Sequence, residues 1–186
     1  MTLPGPADLP TEVPGDDGWL VVIDAQRIFA DPDSPWGSPM WPDVVEPIRH
    51  LAAAYGDHVV LTRFVADPLL GGSWGPYYRE WPFALVPDDD PLYAVVPELE
   101  GITAHLVTAP TFGKWTAAMR AITGPTPTLT LAGVSTDCCV LATALPAADA
   151  GATVRIAAWA CAGSTEQNHL RALDAMALFA PQITIV

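Results

Sequence analysis

Six short apolar runs rich in β-branched residues, each bounded by polar or turn-forming residues, constrain this chain more than any other feature. They are WLVVID (19–24), HVVLTRF (58–64), AHLVTA (104–109), PTLTLAGV (127–134), TVRIAAW (153–159) and QITIV (182–186). None follows the strict alternation of a strand with one wet face, so they read as strands covered on both faces. Between them lie stretches of helical periodicity: 43–56, 112–123, 137–151 and 165–180. Pro146 is expected to bend or shorten the third of these. Strands alternating with helices predict right-handed βαβ units. The expected fold is therefore α/β: a three-layer αβα sandwich around a mostly parallel sheet of about six strands.

The chain has 186 residues, a length that suits one domain. Residues 1–18 are rich in proline and glycine and read as a flexible arm, leaving 19–186 as the folded unit. Eight basic and 21 acidic side chains give a formal net charge of −13. That balance disfavours nucleic acid or an anionic membrane surface as the main partner. Charged residues make up only 16 % and apolar ones 51 %, the composition of a core-rich globule and not of an acidic tail. No apolar run approaches the ~18 residues of a membrane span, and no leader-like pattern opens the chain. With three cysteines and no disulfide framework, reduced thiols and a cytoplasmic location are expected.

Two segments break the alternation, 30–42 and 65–103, both rich in Pro, Gly and aromatics. They follow strand ends, the edge where open α/β sheets place ligands. Trp36, Trp41, Trp74, Tyr77, Tyr78 and Trp81 are thus candidates to wall a pocket or an interface. The turn GVSTDCCV (133–140) joins a strand to a helix and carries Cys138 and Cys139. A thiol in a first helical turn meets free N–H groups and the dipole, which would lower its pKa and activate it. Only one of two adjacent helical cysteines can face a site. Asp24 ends the first strand, and a carboxylate there is costly to bury unpaired. Lys114 is the only lysine, placed where a helix is expected to open.

VIDAQRIF (22–29), FGKW (112–115) and GVSTDCCV (133–140) resemble, in order and separation, the three signature blocks of the isochorismatase-like cysteine hydrolases. That family includes nicotinamidases and N-carbamoylsarcosine amidohydrolases. The resemblance implies a hydrolase acting on a small amide, carbamoyl or ureido compound without a cofactor, and an assembly into dimers or tetramers. It places the catalytic aspartate at Asp24, the lysine at Lys114 and the nucleophile at Cys139, with a cis peptide joining Val134 to Ser135. The amides of Ser135 and Cys139 would then form an oxyanion hole. Phe29, Arg63, Trp74 and Trp115 are the expected substrate contacts, Arg63 as a fork of donors for a carboxylate. Cys161 is expected to be structural.

The chain also departs from its better-known relatives. The stretch LTRFVADPLLGG (61–72) holds no histidine where nicotinamidases place a metal-binding cluster, and His50, His58, His105 and His169 are scattered. No metal site is therefore expected. The cysteine favours C–N cleavage over the ether chemistry of true isochorismatases. A non-catalytic binding or assembly role, and ether or ester hydrolysis, stay open as alternatives.

Overall fold

The computed structural model describes residues 18–186; the arm expected at 1–18 falls, but for its last residue, outside them. The six strands form at the expected places: β1 (Trp19–Ile23), β2 (Val59–Phe64), β3 (His105–Ala109), β4 (Thr128–Val134), β5 (Thr153–Ala162) and β6 (Ile183–Ile185). They build one sheet in the order β3-β2-β1-β4-β5-β6. Every pairing in it is parallel. β5 runs three residues past its expected end, since Ala160, Cys161 and Ala162 are small enough to stay in the ladder and fully buried. β3 departs from the two-sided burial expected of it. It is an edge strand, and His105, Leu106 and Thr108 are exposed.

Among the described residues six α-helices accompany the sheet: α1 (Arg27–Ala30), α2 (Trp41–Tyr55), α3 (Trp74–Glu80), α4 (Ala117–Thr123), α5 (Leu141–Asp149) and α6 (Glu166–Ala177). α2 lays Val44, Ile48 and Leu51 on the face formed by Leu20, Val22, Ala132 and Val134. Met119 of α4, Ala144 and Ala147 of α5 and Leu173 and Met176 of α6 cover Val21, Ile23, Leu129 and Leu131 on the other. Adjacent strand residues thus feed opposite cores, as the pleat requires. α2 stops at Gly56, whose positive φ of 60° suits glycine at a helix end.

Two local expectations fail. α4 starts at Ala117 and not at Phe112, because the Thr116 side chain accepts from Met119 N and fixes the cap there. Lys114 therefore lies in an irregular segment before the helix and not in its first turn. The helix expected from Asp137 opens instead with a π-helical turn, Thr136–Val140, before α5 begins. Pro146 sits inside α5, which ends at Asp149. The proline cannot donate to Ala142 O, and the segment before Lys114 packs against that carbonyl: a Cβ on Gly113 would lie 2.7 Å from it.

β1 and β4 are central neighbours, and the chain leaves them in opposite directions across the sheet. Their carboxyl ends form the topological switch point, where open α/β sheets leave a crevice. Gly133 makes the close pairing possible. Its φ is +104°, and a Cβ there would overlap Ile23 O.

Candidate active site

Asp24 follows β1 directly and has a positive φ of 45°, unusual outside glycine. Thr62, fully buried in β2, holds it twice. The Thr62 hydroxyl donates to Asp24 Oδ1 (2.6 Å) and accepts from Asp24 N (3.0 Å). The neighbouring Gln26 pins the same turn, donating to Phe64 O and Tyr93 O and accepting from Phe64 N.

Asp24 Oδ2 lies 2.9 Å from Lys114 Nζ, and both side chains are 0 % exposed. This contact is an ion pair out of line with a hydrogen bond, so Oδ2 has no aligned donor. Lys114 Nζ donates to Thr111 O (2.6 Å) and Phe112 O (3.0 Å). The ammonium is thus satisfied by two carbonyls and neutralised by one carboxylate, the condition for burying a charge.

Cys139 lies in the π-helical turn after β4, 3 % exposed. Burial pushes its thiol well above the ordinary range; the Asp24 carboxylate, by charge and hydrogen bonding, pushes the same way, and Lys114 opposes them. The lowered pKa expected of a thiol at a helix start is therefore not found at Cys139. Complete desolvation beside a carboxylate outweighs the amide dipoles. The thiol rests protonated beside the Asp24 carboxylate. Cys138 is exposed, and its thiol is pushed up to about 11 by partial burial and by Asp137. Cys161 is buried, its thiol facing Leu131 O (3.6 Å) and pushed up to about 12 by desolvation.

The turn is braced from several sides. Thr143 donates to Cys139 O (2.7 Å) and accepts from Lys114 N (2.9 Å), tying the cysteine and lysine segments together. Thr136 Oγ1 is 2.9 Å from His169 Nδ1. Asp137 accepts from Ser164 N (2.8 Å), Ser164 Oγ (2.7 Å) and Ser135 Oγ (3.1 Å). The peptide between Val134 and Ser135 is cis. Ser135 O accepts from the amides of Cys138 and Val140 (3.1 Å each).

The structure thus brings Asp24, Lys114 and Cys139 together and divides the expected substrate contacts. Phe29 stacks on Trp36 with ring centroids 5.9 Å apart, and Trp74 packs on Phe112 at 5.3 Å; both belong to an aromatic wall near the site. Trp115 is buried in the core cluster that contains Cys139, with its indole N–H unpartnered. The fork of Arg63 is occupied: it pairs with Asp88 Oδ1 (2.7 Å) and donates to Asp88 O and Tyr93 O. Trp41 starts α2 in the core. Thr62 and Thr143 escaped the sequence reading, though a hydroxyl inside an apolar run was the available signal.

Among the described residues no cluster of three or more His, Cys, Asp or Glu side chains is placed to hold a metal ion. Asp67 is the one His, Cys, Asp or Glu side chain in 61–72, and its Oδ1 accepts from Leu69 N (2.9 Å). These residues do not fit a metal.

A doubly wound parallel sheet, with a sealed acid–lysine pair and a cysteine at its switch point, defines the class as α/β. The family model described as the isochorismatase domain matches residues 18–185, and the chain belongs to that family. A cysteine hydrolase from Pseudomonas syringae pv. phaseolicola superposes with a TM-score of 0.77 at 18 % identity, over 95 % of this chain and 92 % of that one. The pyrazinamidase of Pyrococcus horikoshii, solved with zinc, gives 0.70 at 22 %, over 91 % and 98 %. N-carbamoylsarcosine amidase from Thermoplasma acidophilum gives 0.68 at 19 %, over 89 % and 93 %. At these identities the likeness establishes the fold. No curated protein sequence matches the chain. No helix among the described residues is long and apolar enough to cross a membrane.

Proposed function

We propose that the protein is a cysteine hydrolase that cleaves a C–N bond of a small amide, carbamoyl or ureido substrate through a Cys139 thioester. The observation that carries this reading is the fully buried Asp24–Lys114 pair, 2.9 Å apart, beside the Cys139 thiol. Such a pair is a poor source of stability, because desolvation offsets its attraction. Its convergence on a thiol supports catalysis over a scaffold role.

Asp24 takes the thiol proton on Oδ2, and Lys114 holds the resulting thiolate by charge. The thiolate attacks the substrate carbonyl, and the amides of Ser135 and Cys139 receive the oxyanion. Asp24 returns the proton to the leaving nitrogen, and ammonia or an amine departs. Water then gives a proton to Asp24 and attacks the thioester; the acid leaves, and the proton passes back to the Cys139 sulfur. A raised resting thiol suits this cycle, since the nucleophile forms only with proton transfer to a base in place. Phe29 and Trp74 are the proposed wall contacts. The reading includes a homodimer or tetramer, which sedimentation would check.

A panel of amides, carbamoyl and ureido compounds assayed for ammonia, with esters and enol ethers assayed for their own products, tests the proposal. Ammonia or amine release that disappears in Cys139→Ala supports it. Turnover confined to esters or ethers, or undiminished in Cys139→Ala, contradicts it.

A further inference from the structure

Asp24 and Lys114 are fully buried and Cys139 is 3 % exposed, yet thioester hydrolysis needs both substrate and water at the sulfur. Some wall of the site has to move. The walls differ in how they are tied down. The segment carrying Trp36 is pinned by hydrogen bonds from Ser34 Oγ to Ile28 O (2.6 Å), Ser38 N to Phe29 O (2.8 Å) and Ser38 Oγ to Gly163 O (2.6 Å). The Lys114 segment is stitched to Thr143.

α3 is different. Tyr77 packs on Trp36 (5.9 Å), on Phe112 (5.6 Å) and on Trp74 of its own helix (5.3 Å). Among the described residues the polar ties between α3 side chains and the body of the domain all run through Tyr78, whose hydroxyl donates to Pro110 O over a long 3.5 Å and accepts from the backbone of Asp67. Ring contacts of this kind slide and separate at modest cost, whereas a buried hydrogen bond must be broken. Upstream of the helix stand Gly71 and Gly72, both with open space at the Cβ position and the latter at φ +64°. Paired glycines supply the backbone freedom a hinge uses. Tyr77 also borders the site: it packs on Phe112, whose carbonyl accepts from Lys114 Nζ (3.0 Å). Burial first, then the nearby Cys138 and Cys139, raise its phenol above the usual range.

We propose that α3 is the gate of the site: it swings out about Gly71–Gly72 to admit substrate and water, and Tyr77 closes over Cys139 when it returns. The inference rests on Cys139 being the reacting group. Its test reads access to the thiol and not turnover, so the gate and the reaction can fail separately.

The test follows alkylation of each cysteine by iodoacetamide, peptide by peptide, in the wild type, Tyr77→Ala, Tyr77→Leu and Tyr77→Phe. Removing the ring should speed Cys139 labelling by at least about tenfold, with Tyr77→Leu intermediate and Tyr77→Phe within about twofold of wild type. Cys161 should stay protected throughout, which excludes general loosening. Cys139 labelling unchanged in Tyr77→Ala and Tyr77→Leu, with Cys161 protected, would overturn the gate. Hydrogen exchange on the wild type decides independently of any variant. Amides of 74–81 should exchange at least about a hundredfold faster than those of 141–149; equal protection of the two segments overturns the proposal.

Discussion

The Asp24 carboxylate and the Lys114 ammonium form a 2.9 Å ion pair in which neither side chain reaches solvent. Removing one member leaves the other charged and unpaired in the core. Lys114→Met and Asp24→Asn are each expected to lower unfolding free energy by about 3–5 kcal/mol. The double variant should lose much less than the sum of the two, since neither charge then remains. Urea denaturation of the four proteins gives the cycle directly. Additive losses would mean that the two charges do not depend on each other.

Thr143 joins the cysteine and lysine segments through one hydroxyl. Thr143→Val keeps the shape but strands the buried Lys114 N–H, at a cost of about 1–3 kcal/mol. Thr143→Ser restores both hydrogen bonds and should recover most of that stability. The same pair should split in turnover, with kcat falling in the valine variant and returning in the serine. Denaturant titration and steady-state kinetics read the two effects separately.

Burial holds the Cys161 thiol at about 12, against about 9 when exposed. The folded state therefore keeps a proton that the unfolded chain gives up as pH rises. Stability from this group is complete below pH 9 and is lost towards pH 12. The expected slope is about −1.4 kcal/mol per pH unit. Cys161→Ala should make the fall in unfolding free energy between pH 9 and 11 shallower by that amount. An unchanged slope would show that this thiol is not protected from ionisation.

Arg63 spends its guanidinium on Asp88 and Tyr93 O. It is partly solvent-exposed, so the ion pair adds little, up to about 1 kcal/mol. Arg63→Gln is expected to leave KM for the best substrate within about twofold of wild type, because a fork already engaged has little left for a carboxylate. A tenfold or greater rise in KM for acidic substrates alone would restore Arg63 as a substrate anchor.

The sheet was legible because six apolar runs with helices between them leave few arrangements other than a parallel doubly wound one. What escaped was set by single contacts between distant segments. The shortened α4 follows from the cap at Thr116, a residue that reads equally well as helix interior. The π-helical turn at Thr136–Val140 has no periodic signature in five residues. The seven-residue α3 is concealed in a stretch of Pro, Gly and aromatics that reads as loop. For the site, a carboxylate ending an apolar strand, a solitary lysine and a strand-to-helix cysteine were visible as residues. Their common burial was not, and it reversed the expected direction of the Cys139 pKa. The partner of Arg63 was equally hidden, since Asp88 is one of 21 acidic residues in the chain.

Catalysis by Cys139 requires a covalent acyl group on that one sulfur. Rapid acid quench during turnover of an active amide, followed by peptide mass spectrometry, measures it directly. The acyl mass is expected on the peptide containing Cys138 and Cys139, retained in Cys138→Ala and absent in Cys139→Ala. An adduct that persists in Cys139→Ala, or full turnover by that variant, would contradict it.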